Sequence, residues 1–483
     1  MSTDKRKRRN GNPSQIGEPS TKRFQVPRAC ERCKSLRRGC EERRPCSRCI
    51  RAGVANDCTA SSYPSITPSS PSGYGAPAEW AQVVEVAGSQ VVTECSQLFF
   101  EHCYPTIPIV TPEYISRLQM DVAADQRSVE AAVLLVAFCA YVLLHVDEAA
   151  SRPESAIPRD HKQYGTSLLD SASAVYRSYC WNLTPSLDAC LLSFFLYAGQ
   201  TRLSRHSQTF LFLRQTTGLW ALVKDRQPAS IDGKELFNRL FWVLLASERS
   251  HAIRYGRSIT LHITPDTPDL DVLKEALPGL WSLAALFRPI DSEFMAIMNR
   301  EAVFSPPSPE ILDVTERAIN AAIPPRFPFQ DMQKANLRIT KLWLRIVIWQ
   351  LRLRLGYLTE AARQRNLTYQ YPLDVARELV LSTRDLPIHA IKVHGVGLTE
   401  KLFDIASAVV DVMAGIPQAP RQRHTEVEGP PEDDLGYIRG LMMQLPGGQD
   451  VYDGLLERHL EQALHSPLQN QAVLSRTLDG SPR

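Results

Sequence analysis

Several features of common protein classes are missing from this 483-residue sequence. The longest apolar run, Ala131 to Leu144, has 14 residues, which is too short for a membrane-spanning helix. The N-terminus is charged and has no apolar stretch of the secretory type. His-Glu-x-x-His, Gly-x-Ser-x-Gly and phosphate-loop motifs are also absent. We therefore expect no membrane segment, a reducing compartment and no enzymatic activity.

The sequence has little excess of charge of either sign, because its net charge is only +3. Its distribution along the chain is nevertheless uneven. Residues 1–58 contain 16 basic and 6 acidic side chains, whereas the remaining residues contain 39 basic and 46 acidic side chains. A basic head on a mildly acidic body indicates that only the head contacts a polyanion.

Cysteine is concentrated in the basic head. Six of the 11 cysteines lie within 29 residues, in two halves that each consist of a Cys-x-x-Cys pair, a basic segment and a third cysteine: Cys30, Cys33, Cys40, Cys46, Cys49 and Cys58. Tetrahedral zinc prefers four soft ligands, so six thiolates complete two sites only if two of them bridge both ions. Disulfides or chance spacing are the alternatives, and iron–sulfur clusters use other spacings. The pattern predicts two structural zinc ions.

This spacing resembles that of the fungal binuclear zinc cluster family of transcription regulators. The resemblance implies that the first and fourth cysteines, Cys30 and Cys46, bridge the two ions. The second and third cysteines then complete one site, and the fifth and sixth complete the other. Because sulfur fills every coordination position, the zinc is structural. The family also implies a nuclear protein that binds double-stranded DNA and regulates transcription by RNA polymerase II.

Basic residues around the cysteines are the candidate DNA contacts. By the resemblance, the segment after Cys33 reads base edges in the major groove, commonly at CGG triplets, and Arg37 is the base reader. Its guanidinium fork matches the two acceptors on the major-groove edge of guanine. Leu36 and Gly39 stand where the family usually has basic residues, so we expect fewer contacts from this helix. The remaining basic residues are assigned to phosphates, with a solvated charge as the alternative for each: Lys34, Arg38, Arg43, Arg44, Arg48 and Arg51.

The regions flanking the cysteine module, residues 28–60, are predicted to be disordered. Residues 1–27 form a basic arm that resembles a bipartite nuclear import signal, or that grips DNA phosphates, through Lys5, Arg6, Lys7, Arg8, Arg9, Lys22 and Arg23. Residues 61–78 are a linker rich in Ser and Pro. No Leu occurs between Leu36 and Leu98, so the pattern of a leucine-rich coiled coil is missing. We expect a monomer, or a homodimer formed through another surface.

Residues 79–483 show helical periodicity and are predicted to form a large all-α regulatory domain with an acidic C-terminal segment. The segment from Arg239 to Arg257 resembles the central signature of the fungal-specific transcription factor domain, which implies an inhibitory and effector-sensing domain. Glu248, Arg249 and Arg254 within it are predicted to form internal ion pairs. The acidic residues from Glu426 onward either recruit transcription coactivators or precede the last helices of the domain.

Two smaller groups of residues are interpreted as structural. The five cysteines outside the head are predicted to be buried thiols: Cys95, Cys103, Cys139, Cys180 and Cys190. His389 and His394 are interpreted as loop residues and not as metal ligands.

The predicted fold is therefore mainly α: a small binuclear zinc cluster of two short helices, a disordered linker and a large all-α domain. The predicted function is activation of a pathway-specific gene set, with a secondary-metabolite cluster preferred and carbon-source utilisation as the alternative. Two other classes stay open. One is a helical-body enzyme with a zinc module for chromatin targeting, and the other is a scaffold whose cysteine cluster binds a protein.

Overall fold

The structure is a computed structural model that describes residues 30, 32–33, 45–55, 58, 78–124, 128–150, 155–180, 184–224, 231–301, 308–325, 328–415 and 430–465. The chain divides into two compact units, residues 1–75 and 76–483. The predicted import arm lies outside the described residues, and so does all of the predicted linker except Ala78. In the described part of the chain, no helix combines the length and apolar character that crossing a membrane requires.

Helices dominate the described residues of the second unit, and the described part of the whole chain forms no β-strand. The first unit contains α1, Ser47–Arg51. The second unit contains α2 Ala78–Ala87, α3 Gln90–Leu98, α4 Pro112–Ala124, α5 Val129–His145, α6 His161–Val175, α7 Leu187–Arg202, α8 His206–Lys224, α9 Ile231–Tyr255, α10 Leu273–Ala276, α11 Pro278–Phe287, α12 Ser292–Met298, α13 Pro309–Ala321, α14 Asp331–Leu355, α15 Tyr371–Thr383, α16 Ile388–Lys392, α17 Val396–Gly415, α18 Pro431–Met443 and α19 Asp453–His465. The mainly α prediction is confirmed.

Local capping chemistry sets many of the helix boundaries. Pro112 begins α4, and the Thr111 hydroxyl accepts a hydrogen bond from the Tyr114 amide at 3.2 Å. The sequence also suggests a Thr-Pro start at Thr184, but α7 begins later, because Ser186 is the cap and accepts from the Ala189 amide. A single helix over 271–287 is predicted from periodicity and is wrong. Pro278 ends α10 and starts α11, since it disfavours helical geometry at the preceding residue.

A continuous apolar core joins the helices of the second unit. Helix α5 lies at its centre, with every residue from Ala131 to Leu144 buried. It packs against α6 and α7, and α7 packs against α8. Farther along the chain, α14 packs against α15 and α17, and α17 packs against α19. The 14-residue apolar run is therefore a core helix, as its length indicates.

The close approach of α6 and α7 depends on a glycine. A Cβ atom placed on Gly199 would lie 2.7 Å from Cδ1 of Leu169, which is itself fully buried. We expect Gly199→Ala to lower the free energy of unfolding by up to about 2 kcal/mol, because the strain of overpacking against buried Leu169 exceeds the gain of about 1 kcal/mol in helix propensity. Urea denaturation followed by circular dichroism measures the change.

Gly218 provides the matched control for that substitution. It lies on the exposed side of α8, and a Cβ atom there would meet nothing within 4 Å. Gly218→Ala should raise the free energy of unfolding by up to about 1 kcal/mol through helix propensity alone. Equal effects of the same sign at the two positions would contradict the packing explanation.

Two of the three charged residues predicted to form ion pairs on α9 do so. Glu248 pairs with Arg214 at 2.8 Å, and Arg254 pairs with Asp404 and Glu400. The prediction for Arg249 is wrong within the described residues, where its Nη1 atom instead donates to the Phe287 carbonyl at 2.8 Å. This carbonyl lies at the C-terminal end of α11, where helix carbonyls lack intrahelical partners.

A second buried charged cluster joins α13, α14 and α15, and the sequence pattern gave no sign of it. Arg352 is 1% exposed and contacts both Glu316 and Asp313. Glu316 also accepts hydrogen bonds from Asn366 at 2.7 Å and from the Tyr371 hydroxyl at 2.9 Å. All three donors bind the same buried carboxylate. They compensate the negative charge of Glu316 for its loss of contact with water, and Glu316 does the same for the positive charge of Arg352.

The residues interpreted as structural are mostly where they are expected. Four of the five isolated cysteines are buried, and the side chain of the fifth, Cys180, lies outside the described set. His394 hydrogen-bonds the Met332 carbonyl at 2.8 Å, whereas His389 lies in the short helix α16 and not in a loop. Of the acidic C-terminal residues, Asp434 belongs to the first turn of α18 and pairs with Arg377 at 3.0 Å.

Candidate metal centre and nucleic-acid interface

Four cysteines of the first unit bring their sulfur atoms to one point. The Sγ atoms of Cys30, Cys33, Cys46 and Cys49 all lie within 4.8 Å of one another, and all four side chains are buried. Cys46 is the N-cap of α1 and Cys49 lies one turn along it, so the helix directs both sulfurs to the same side. The first Cys-x-x-Cys pair is similarly compact, since the Cys33 amide donates to the Cys30 sulfur at 3.4 Å.

The distances between these sulfurs fit tetrahedral zinc. A zinc–sulfur bond of about 2.3 Å places two ligands of one tetrahedral ion about 3.8 Å apart. The Cys30 and Cys49 sulfurs are 3.8 Å apart, and the Cys33 and Cys46 sulfurs are 3.9 Å apart. Both values exceed a disulfide bond length by far, so neither pair is joined by a disulfide bond. The disulfide alternative is therefore not what the structure contains.

A fifth cysteine reaches the same cluster from the segment after α1. Cys58 is buried, and its sulfur accepts a hydrogen bond from the Cys46 amide at 3.2 Å. Amide-to-sulfur hydrogen bonds of this kind stabilise a thiolate and orient it toward a metal. Cys40, the sixth predicted ligand, lies outside the described residues.

Burial and hydrogen bonding shift the pKa values of the cluster thiols in both directions. Desolvation opposes ionisation of Cys30, but hydrogen bonds from the Cys33 amide and from neighbouring thiols outweigh it and lower the pKa of Cys30. Desolvation and the neighbouring Cys46 and Cys30 thiols raise the pKa of Cys49. The Cys46 amide lowers the pKa of Cys58, but desolvation and the surrounding thiols outweigh it and bring that pKa to about 12. Several thiolates cannot share so small a volume unless a metal ion neutralises them, and binding the metal displaces their protons.

Arg32 is a contributor that the sequence analysis did not identify. Its Nη1 atom lies 3.9 Å from the Cys49 sulfur, so the guanidinium is oriented toward the cluster. Two zinc ions with six thiolates carry a net charge of minus two, and a partly buried arginine beside them offsets part of this charge. The sequence feature that could have identified Arg32 is its position inside the first Cys-x-x-Cys pair, where a side chain remains close to the metal.

Comparison with known proteins decides what this cluster is. Residues 28–65 match the family model described as the fungal Zn(2)-Cys(6) binuclear cluster domain. The first unit carries a fungal Zn(2)-Cys(6) cluster domain. The donor set of closely spaced thiols fits this assignment, and the cofactor of the cluster domain is structural zinc.

Three curated proteins are similar to this chain. Probable sucrose utilization protein SUC1 of Candida albicans is 22% identical over 332 residues, which is 66% of this chain and 63% of that protein. Maltose fermentation regulatory protein MAL13 of Saccharomyces cerevisiae is 19% identical over 424 residues, or 81% of this chain and 85% of that protein. Transcription activator of gluconeogenesis ERT1 of Schizophyllum commune is 40% identical over 47 residues, 10% of this chain and 8% of that protein.

The lengths of these matches separate two kinds of similarity. The match to the gluconeogenesis activator is about as long as the cluster domain itself. The matches to the sucrose and maltose proteins are several times longer than the cluster domain, so they also include much of the helical body. The chain spans 63% of the length of the sucrose protein.

Only two of the seven predicted DNA contacts belong to the described part of the cluster domain. Arg48 and Arg51 are exposed on α1, and Arg51 also donates to the Ser47 carbonyl at 3.4 Å. Their exposure leaves both side chains accessible to a phosphate backbone. The other predicted contacts lie outside the described residues: Lys34, Arg37, Arg38, Arg43 and Arg44.

Proposed function

We propose that this protein is a nuclear, zinc-dependent transcription regulator that binds specific DNA sequences through its cluster domain. The observation that carries the proposal is the group of converging cysteine sulfurs within the match to the Zn(2)-Cys(6) family. The comparisons group the chain with transcription regulators and not with enzymes. The zinc ions hold the fold of the module, and its basic side chains bind DNA.

The regulated genes are proposed to serve the use of a carbon source. The named relatives act in sucrose utilization, maltose fermentation and gluconeogenesis, which supports this gene set over the secondary-metabolite cluster that the sequence analysis preferred. Activation is the proposed direction, because one relative is named as an activator. The helical body is proposed to be the regulatory domain, with the basic arm at residues 1–27 directing nuclear import.

All six cysteines of the cluster domain are proposed to be zinc ligands, with Cys30 and Cys46 shared by both ions. Because Cys30 and Cys46 each bind both ions, Cys30 and Cys49 are ligands of the same ion. Cys33 and Cys46 are likewise ligands of the same ion, the second of the two. Those are the two pairs whose sulfurs are 3.8 and 3.9 Å apart. Cys58 would complete the first of these sites, beside the Cys46 amide, and Cys40 would complete the second.

Selection of bound sites from random DNA tests the proposed function. We expect the full-length protein to enrich CGG-type triplets, singly as a monomer or in pairs as a homodimer. Its affinity should fall with salt by a log–log slope of about −0.9 for each neutralised phosphate. Protein stripped of zinc by a chelator is the control and should enrich nothing. A zinc-loaded protein that enriches no sequence would overturn the proposal and favour the protein-binding scaffold.

Arg37 is proposed to read a guanine. We expect Arg37→Ala to cost about 1–3 kcal/mol of binding free energy on the selected site and to relax the preference at one base position. Fluorescence anisotropy with the selected duplex and with single-base variants of that duplex measures both effects.

Arg48→Ala is the comparison for this experiment, because Arg48 is an exposed residue proposed to contact phosphate. It should weaken binding to all sequences uniformly and reduce the steepness of the salt dependence by about 1. Uniform weakening by Arg37→Ala as well would reassign Arg37 to the phosphate backbone.

A further inference from the structure

The helical body contains a cavity of about 230 Å³ that is lined by residues of α5, α7, α9, α11, α14 and α17. Phe287, Trp343 and Leu283 provide apolar surface, whereas Tyr197 and Ser250 provide hydroxyl groups. A wall of this mixed kind suits a small organic molecule that carries both carbon surface and polar groups.

Two cations line the cavity without a carboxylate partner within 4.0 Å among the described residues: Arg202 and Lys401. Arg202 donates through Nε to the Leu144 carbonyl at 2.5 Å, but its Nη1 atom is buried with no hydrogen-bond partner. Lys401 is buried, donates to the Thr340 hydroxyl at 2.8 Å and lies 5.3 Å from the centre of the Trp343 ring. An unsatisfied buried donor costs free energy that a ligand acceptor would recover.

Both cations keep their charge at neutral pH. Desolvation lowers the pKa of Lys401 to about 8 and that of Arg202 to about 10. It also lowers the pKa of His145 to about 3 and that of His394 to about 4, so these cavity residues are neutral. Two positive charges and two uncharged imidazoles are therefore among the groups that line the cavity.

The carboxylates near the cavity form their ion pairs with residues other than Arg202 and Lys401. Arg254 contacts Asp404 and Glu400, and Glu400 also accepts hydrogen bonds from Tyr255 and Tyr452 at 2.9 and 2.7 Å. Asp147 lies 3.9 Å from Lys392. Arg254 neutralises only one of Asp404 and Glu400, so together with Arg202 and Lys401 one net positive charge remains around the cavity.

We propose that this cavity is the binding site of a small hydroxylated organic anion whose carboxylate or phosphate group is held by Arg202 and whose other polar groups reach Lys401. The anion supplies the acceptor that the Arg202 Nη1 atom lacks, and the carbon skeleton packs on Phe287 and Trp343. Gly395 leaves room for the arginine, because its left-handed φ of +68° suits glycine and a Cβ there would lie 3.1 Å from Arg202 Nη1. The inference concerns only the helical body and does not depend on the proposed DNA binding.

Isothermal titration calorimetry of the full-length protein at pH 7 tests the site with four probes: glucose 6-phosphate, gluconate, glucose and inorganic phosphate. We expect at least one of the two hydroxylated anions to bind more tightly than both glucose and inorganic phosphate. Tighter binding of glucose 6-phosphate identifies the phosphate source, and tighter binding of gluconate identifies the carboxylate source. Failure of both anions to bind at millimolar concentration, or binding no tighter than that of glucose, would overturn the proposal.

Substitutions then locate the bound anion. Arg202→Gln and Lys401→Met should each weaken binding of the anion about tenfold or more, because each removes a charged donor. Arg205→Gln is the control, since Arg205 carries the same charge near the end of α7 but pairs with Asp170 on the surface. Arg202→Lys retains the charge and should retain part of the affinity even if Arg202→Gln fails to fold. Wild-type affinity in Arg202→Gln, or an equal loss in Arg205→Gln, would contradict the assignment.

Discussion

Cys46→Ser should release both zinc ions from the cluster domain and abolish DNA binding, whereas Cys33→Ser should release chiefly one. The physical reason is the proposed bridging position of Cys46, whose thiolate would be a ligand of each ion. Cys46 is also the N-cap of α1, and its amide donates to the Cys58 sulfur at 3.2 Å, so the substitution disturbs the helix start as well. Folding of such small modules is coupled to metal binding, so loss of both ions unfolds the module.

Elemental analysis of the purified full-length variants measures the zinc content, and fluorescence anisotropy measures DNA affinity. Cys95→Ser is the control, because Cys95 is a buried thiol of the helical body and not part of the sulfur cluster. It should keep the wild-type zinc content. Equal zinc loss in Cys46→Ser and Cys33→Ser would show that Cys46 does not bridge the ions.

Arg352→Met should lower the free energy of unfolding of the helical body by about 3–5 kcal/mol. The substitution leaves Glu316 buried without its cation, and an uncompensated buried charge is among the costliest single changes in a protein. Glu316 is 3% exposed and would retain only its neutral donors, Asn366 and Tyr371. Urea denaturation of the full-length protein, followed by far-ultraviolet circular dichroism, measures the change.

Two further variants separate this explanation from simple loss of an ion pair. Arg365→Gln removes an ion pair with Asp374 in which the arginine is 74% exposed. It should change stability by less than about 1 kcal/mol, because exposed pairs contribute little. Adding Glu316→Leu to Arg352→Met should restore much of the lost stability, since the buried charge is then gone. A loss in Arg352→Met no larger than that in Arg365→Gln would rule out the buried-charge mechanism.

The zinc module could be predicted from spacing because its chemistry is local. Two Cys-x-x-Cys pairs and two returning cysteines indicate the ligand type, the metal and the number of ions before any tertiary information is needed. Arg32 escaped prediction because it is one of nine basic residues from Arg28 to Cys58, and charge alone does not show which of them turns toward the sulfurs. Only the fold shows its 3.9 Å approach to Cys49.

The helical body was predictable in outline for a similar reason. Apolar periodicity identifies long amphipathic or buried helices such as α5 and α14, because each follows a repeat of 3.6 residues or an apolar run. Short elements depend on single caps and have no long repeat to identify them; α12, for example, is capped by Asp291, which accepts from the Phe294 amide. Contacts between distant segments, such as Arg352 with Glu316, arise from packing that no local pattern records.

The complete burial of the central residues of α5 limits how the second unit can be divided. Its neighbours α6 and α7 follow it in the chain, and their removal would expose the apolar surface of α5 to water. Truncations that end between α5 and α7 should therefore aggregate, whereas a boundary near Gly75 separates the two compact units. For recombinant fragments, that boundary is the practical place to cut.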